Sequence, residues 1–157
     1  MKYAVGLLLL FSLSSAFAAD QFWRQGITGE RHEITVYRSA SCGCCKGWIA
    51  HLEEHNFEVK DVTVENLNAY KQNFNVPANA ASCHTAVVDG VVIEGHVPAQ
   101  DIKRLLKSEH NTRLLTVPAM PSGSPGMDTP GAPKQSFKVY SLSHDDEVGV
   151  FNTYSDY

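Results

Sequence analysis

No basic stripe runs through this 157-residue sequence. Thirteen lysines and arginines stand against seventeen acidic residues, for a net charge of −4. A mildly acidic chain without clustered cations lacks the electrostatic footprint of a nucleic-acid binder, so nucleic acid is excluded as a partner. No apolar run reaches the ~20 residues that a membrane span needs. The one candidate, Ala4 to Phe11, is broken by Ser12, Ser14 and Ser15. With Lys2 ahead of it and the small-x-small site Ala16-Phe17-Ala18 behind, residues 1–18 read as a cleavable secretory signal peptide, and the mature chain is expected to start at Ala19. No cysteine stands at the cleavage point, so neither a lipid anchor nor any other membrane anchor is expected in the mature form. Internal repeats are absent as well. Cysteine is scarce, with four residues, and only two methionines, Met120 and Met127, follow the leader.

Taking 18 residues from 157 leaves 139 and removes only Lys2 among the charges, so −4 becomes −5. That length suits one compact domain with a tail. A hydrophobic fraction of 43% supports a core without obligatory disulfides. Export in a mildly acidic, soluble form points most simply to a bacterial periplasm.

Residues 19–32 form a polar lead carrying Phe22 and Trp23. Glu33 to Tyr37 alternates and is β-branched, which predicts a strand. Ser39 and Ser41 are candidate caps for a helix over Gly43 to His55, with Trp48, Ile49 and Leu52 at helical spacing. A strand over Phe57 to Val64 and a short helix over Glu65 to Phe74 follow. Asp89-Gly90 between Thr85–Val88 and Val91–Ile93 is a strong hairpin signal. Pro98 opens a helix through Lys107 whose apolar stripe is Ile102, Leu105 and Leu106. The order β-α-β-α-β-β-α, with its first two strands parallel, is that of an α/β, thioredoxin-like fold spanning residues 33–116. Residues 117–133 hold five prolines and three glycines, together with both methionines, and read as an irregular loop. Residues 134–157 alternate over Phe137 to Leu142 and Val148 to Tyr154 around His144-Asp145-Asp146, a C-terminal β-hairpin with a polar turn.

The cysteines are the feature to explain. Cys42, Cys44 and Cys45 crowd into four residues between the first strand and the first helix, and Cys83 precedes the hairpin. Exported cysteines default to disulfides, yet three so close together staple nothing. In the expected fold Cys44 and Cys45 fall in the first helical turn, where free amides and the helix dipole favour thiolates. Lys46 adds a nearby positive charge. Cys83 and His84 lie on the loop facing that turn.

Cys42 and Cys45 have the spacing of a redox CxxC pair, but Cys44 and Cys83 are surplus and a third thiol scrambles a disulfide by exchange. A thioredoxin-type enzyme also carries a proline directly before its third strand, where Cys83-His84 stands here. Structural zinc favours two separated chelating pairs, for which adjacent Cys44 and Cys45 are awkward. Copper(I) selects thiolate and thioether and accepts low coordination and bridging sulfurs, so crowding suits it. The two methionines and neighbouring histidines lean the same way. His51 and His55, four apart, are expected on a solvated face, and Trp48 in the core.

Cys42-Gly43-Cys44-Cys45, Ser82-Cys83-His84-Thr85-Ala86-Val87-Val88-Asp89-Gly90, Ile93-Glu94-Gly95-His96-Val97-Pro98 and Met120-Pro121-Ser122-Gly123-Ser124-Pro125-Gly126-Met127 together resemble the CopG-like family of exported, thioredoxin-fold copper proteins, over roughly residues 33 to 128. The resemblance implies a copper–thiolate cluster, with several Cu(I) ions per chain, on Cys42, Cys44, Cys45 and Cys83. It places His84, His96, Met120 and Met127 near the metal. It implies a role in copper resistance or homeostasis, with copper ions and other periplasmic copper-handling proteins as partners. Copper(I)/copper(II) interconversion, which would make the protein an oxidoreductase, ranks below simple binding. A thiol–disulfide oxidoreductase using Cys42 and Cys45 is the alternative. The chain departs from the family pattern at Ala119, where glycine is common before the first methionine.

Overall fold

The computed structural model describes residues 21–157 except Thr28, so the expected signal peptide and its cleavage site lie outside the described residues. Its strands and helices are β1 (His32–Arg38), α1 (Gly43–Glu54), β2 (Phe57–Thr63), α2 (Leu67–Asn73), β3 (His84–Val88), β4 (Val91–Gly95), α3 (Ala99–Leu106), β5 (Thr112–Val117), β6 (Phe137–Ser143) and β7 (Val148–Tyr154). The strands form one mixed sheet of seven in the order β2-β1-β3-β4-β5-β6-β7. β1 and β2 are parallel, as expected for a strand–helix–strand unit, and β3 runs antiparallel to β1. β3 and β4 form the predicted hairpin, with Asp89 and Gly90 at positive φ of 47° and 82° in the two-residue turn. Both left-handed residues match the twist of the flanking strands.

One strand escaped the sequence reading. Thr112–Val117 is β5, and it pairs parallel to β4. Val117 therefore ends a strand and does not begin the loop. The C-terminal hairpin β6–β7 adds to β5, extending the same sheet. The molecule is thus a mixed α/β fold with three strands beyond the expected β-α-β-α-β-β-α core.

The main core lies between the sheet and helices α1 and α3. Trp48, Ile49 and Leu52 of α1 and Ala99, Ile102 and Leu105 of α3 meet Ile34, Val36, Ala86, Ile93 and Leu115 there. A smaller cluster of Ala80, Val92, Leu114 and Leu142 occupies the opposite face, with Phe74 packed against it. At α2 the cap is Asn66, whose side-chain oxygen accepts the Ala69 amide at 3.2 Å. Leu67 and Tyr70 are only half-buried, and Lys71 is the residue of this helix that turns inward. Neither serine caps α1; its cap position is Cys42, with no side-chain cap bond.

The N-terminal lead docks. Trp23 is buried within Phe22, Phe137, Tyr154 and Tyr157 and donates its indole N–H to the Gly123 carbonyl at 2.9 Å. It also corrects the reading of His51 and His55. Both are buried, because α1 turns this face to the lead and to α3. His51 Nε2 accepts the Ala99 amide at 3.0 Å, supplying the cap that Pro98 cannot give to α3. His55 Nε2 donates to the Trp23 carbonyl at 2.6 Å.

Candidate metal centre

The carboxyl end of β1, the first turn of α1 and the approach to β3 meet at one edge of the core. Arg38, the last residue of β1, is buried and bonded to Asp61 of β2 at 2.8 Å, which steadies the exit of the strand. Four residues later the chain reaches Cys42, half-buried at the α1 cap. Cys44 is half-buried and Cys45 fully buried in the first turn. Cys83 directly precedes β3, in the place where the sequence reading set it.

All four sulfurs lie within 4.8 Å of one another. Cys42 Sγ is 3.5 Å from Cys44 Sγ, and Cys44 Sγ is 3.8 Å from Cys83 Sγ. Cys42 and Cys45 are joined by a disulfide, with their Cα atoms 5.4 Å apart. Cys44 and Cys83 are free thiols. Burial, reinforced by the neighbouring Cys44, pushes the Cys83 thiol up to about 12. Cys83 is therefore a protonated thiol at neutral pH, and any metal it binds must displace that proton.

Two imidazoles complete the cluster. His84 Nδ1 is 3.3 Å and His96 Nε2 is 3.1 Å from Cys83 Sγ, and these three residues form a second group of ligand atoms within 4.8 Å of one another. His96 is buried, and its Nδ1 lies 2.8 Å from the Pro125 carbonyl. A carbonyl only accepts, so Nδ1 carries the proton and Nε2 presents a lone pair to the sulfur. His96 is thus oriented toward Cys83 by the Pro/Gly/Met loop. His84 is fully buried beneath Trp48, with ring centroids 4.3 Å apart, and its Nε2 has no hydrogen-bond partner among the described residues. Burial lowers the pKa of both rings. Trp48 is core, as expected, and also roofs His84.

The methionine loop lies against α1 by backbone contact. A Cβ on Gly126 would stand 2.5 Å from the Trp48 amide nitrogen and 2.7 Å from the Cys44 carbonyl oxygen, and a Cβ on Gly47, which faces it, would stand 3.0 Å from the Gly126 Cα. Only glycine permits this approach. Met127 directly follows, half-buried. Met120 is 48% exposed, next to Ala119, which is bonded to Ala81 and Ser82 beside Cys83. Ala119 adopts φ +61°, the left-handed region that favours glycine, which explains why its departure from the family pattern matters. Lys46 is exposed. Pro125 and Glu94 escaped the sequence reading as site residues. A carbonyl role leaves no side-chain signal, but a lone glutamate inside the apolar run of β4 was a visible anomaly.

The chemistry on offer is that of sulfur and imidazole. The converging ligand set among the described residues contains no carboxylate, a composition that suits soft or borderline metals over calcium or magnesium. Fold and cluster together define a mixed α/β protein with a convergent cysteine–histidine metal-type site. A profile described as "Protein of unknown function, DUF411" matches residues 80–127. Two solved structures titled copper resistance protein copG, forms 2 and 1, are similar at 41% and 42% identity, with TM-scores of 0.76 and 0.75. Each match covers 80% of this chain, and 100% and 98% of the respective solved chain. Among curated protein sequences none matches. The chain belongs to the CopG-like family.

Proposed function

We propose that this is a periplasmic copper-binding protein that holds several Cu(I) ions in a thiolate cluster on Cys42, Cys44, Cys45 and Cys83, for copper resistance or homeostasis. One observation carries the reading: four cysteine sulfurs from two distant segments gather within 4.8 Å. The solved relatives titled copper resistance proteins support copper as the cargo. His84 and His96 adjoin Cys83 as further ligands or as groups that orient it, and Met120 and Met127 are offered from the loop. The cleavable leader over residues 1–18 delivers the protein to the periplasm, where other copper-handling proteins exchange the ion with it. Residues 33–116 are read as a thioredoxin-like unit, on the strength of the parallel β1–β2 pair and the β3–β4 hairpin, with Cys83 standing where a redox enzyme of that fold has proline.

Loading all four sulfurs requires the Cys42–Cys45 disulfide to open, which takes two electrons. Two Cu(I) ions becoming two Cu(II) ions supply them, so copper redox interconversion is a finer form of the same reading. The disulfide also favours a second reading, a thiol–disulfide oxidoreductase acting through Cys42 and Cys45.

The test is metal content after anaerobic, reducing purification with copper and zinc both offered. More than one copper per chain, lost in Cys83→Ser, is the expected result. Metal-free protein with disulfide reductase activity indifferent to Cys83 moves the assignment to the second reading, and a single zinc overturns both.

A further inference from the structure

A buried ion pair sits behind the site with no part in holding metal. Glu94 of β4 has no exposure, and its partner Lys71 reaches it from α2. Lys71 Nζ donates to Glu94 Oε1 and, at 3.0 Å, to Thr85 Oγ1. Thr85 in turn donates to Glu94 Oε2 at 2.7 Å, and the two face each other across the β3–β4 hairpin. The fourth bond leaves this closed triangle. Glu94 Oε1 accepts the backbone N–H of Ser82 at 2.6 Å, and the next residue is Cys83.

Stability does not account for the arrangement. A buried ion pair is often no better than apolar residues of the same volume, because desolvation offsets the attraction. Burial indeed raises the pKa of the Glu94 carboxyl against the pull of Lys71. What an apolar pair cannot do is accept the Ser82 amide. The loop before β3 depends on such bonds. Ala80 is held through its carbonyl by Thr116 at 2.7 Å, and Ala81 through its carbonyl by the Ala119 amide at 3.4 Å. Beside Glu94, Gly95 has φ +72°, and a Cβ there would stand 2.6 Å from Ser82 Cβ. The loop thus lies flat on bare backbone at Gly95, with Glu94 as its tether.

We propose that Glu94, supported by Lys71 and Thr85, is the positioning residue of the site: it holds the Ser82 amide and thereby sets where the Cys83 sulfur stands relative to Cys44 and His96. The proposal uses the copper reading only for its metal readout, because the placement of Cys83 is measurable without metal.

The experiment uses a Cys42→Ser/Cys45→Ser background, in which Cys44 and Cys83 are the remaining thiols, and follows closure of a Cys44–Cys83 disulfide by diamide. The two thiols give up two electrons and two protons, and the diazene becomes a hydrazine. Two charge-neutral replacements of the pair are compared. Lys71→Met/Glu94→Leu removes the acceptor, whereas Lys71→Met/Glu94→Gln keeps an amide oxygen for Ser82. The leucine version is expected to close at least about tenfold more slowly with cooperative unfolding retained, and the glutamine version at the parental rate. Equal rates in both overturn the proposal. Should the leucine version not fold, Thr85→Val, which frees one carboxylate oxygen, is expected to slow closure about threefold, and an unchanged rate there overturns it too. In the copper arm, with all four cysteines restored, the leucine version is expected to bind fewer Cu(I) ions per chain than the glutamine version. Failure of the wild-type chain to bind copper defeats the functional reading alone, and the oxidation rates still decide the role of Glu94.

Discussion

His51 keeps its imidazole neutral so that Nε2 can accept the Ala99 amide. Burial, with the adjacent His55, lowers its pKa from 6.5 to about 3. A depressed folded-state pKa means that the unfolded chain takes the proton first, so stability present above pH 6.5 is lost as the pH falls toward 3. Between pH 7.5 and 5 this one residue accounts for a loss of about 2 kcal/mol. Glu94 and Asp101, whose pKa values burial raises, act in the opposite sense at the acid end and offset part of it. Urea midpoints measured across that range should fall for the wild-type protein and fall less for His51→Gln. A flat wild-type profile contradicts the assignment. Ala119 offers a second measurement at this scale. Relief of its φ of +61° by Ala119→Gly is expected to raise stability by about 0.5–1 kcal/mol in urea unfolding. At Cys83 the high thiol pKa predicts proton release on copper uptake, visible as an indicator-dye signal in weakly buffered solution and missing at this position in Cys83→Ser.

At the scale of elements, the strands and helices that carry the site were legible because each had its own local signal. β1 alternates, α1 has helical spacing, and Asp89-Gly90 announces the β3–β4 hairpin. β5 had no comparable signal. Thr112–Val117 is a short segment between a helix and Pro118 in which Arg113 and two threonines interrupt the apolar residues, and its parallel pairing with β4 is what makes it a strand. The error over His51 and His55 has a similar cause. Histidine is usually solvated, and nothing local in α1 reveals that Trp23 and α3 cover that face. The four cysteines could be grouped from their positions on expected elements, whereas the part played by Pro125 depends on a carbonyl direction and was invisible. The contact between the methionine loop and α1 supplies a test. Gly126→Ala places a methyl against the backbone at Trp48 and Cys44, so the loop must lift. The expected cost is about 1–3 kcal/mol in urea unfolding, with the His96 ring freed from Pro125 in NMR spectra.

For the whole molecule, the proposed cluster on Cys42, Cys44, Cys45 and Cys83 would couple metal binding to the fold, because its sulfurs come from two distant segments. A ligand that binds only the native state raises the unfolding temperature in proportion to the logarithm of its concentration. Cu(I) added anaerobically to reduced protein should therefore raise the thermal midpoint progressively. A copper chelator should reverse the shift, and Cys83→Ser should reduce it. A midpoint indifferent to Cu(I) contradicts binding by the folded site. Among the described residues no helix is long and apolar enough to cross a membrane.

The indole of Trp23 reaches a carbonyl a hundred positions away, at Gly123, and its ring packs against Tyr154 and Tyr157. Contacts of that span close only after most of the chain exists, and such long loops slow folding. A nascent chain therefore cannot complete this aromatic knot until the ribosome has delivered Tyr154. Until then the indole bond to Gly123, on the loop that orients His96, lacks the two tyrosine rings that pack against Trp23. Late closure keeps this end of the polypeptide pliable during synthesis, and it delays the finished cysteine–histidine pocket until nearly the whole chain has been made.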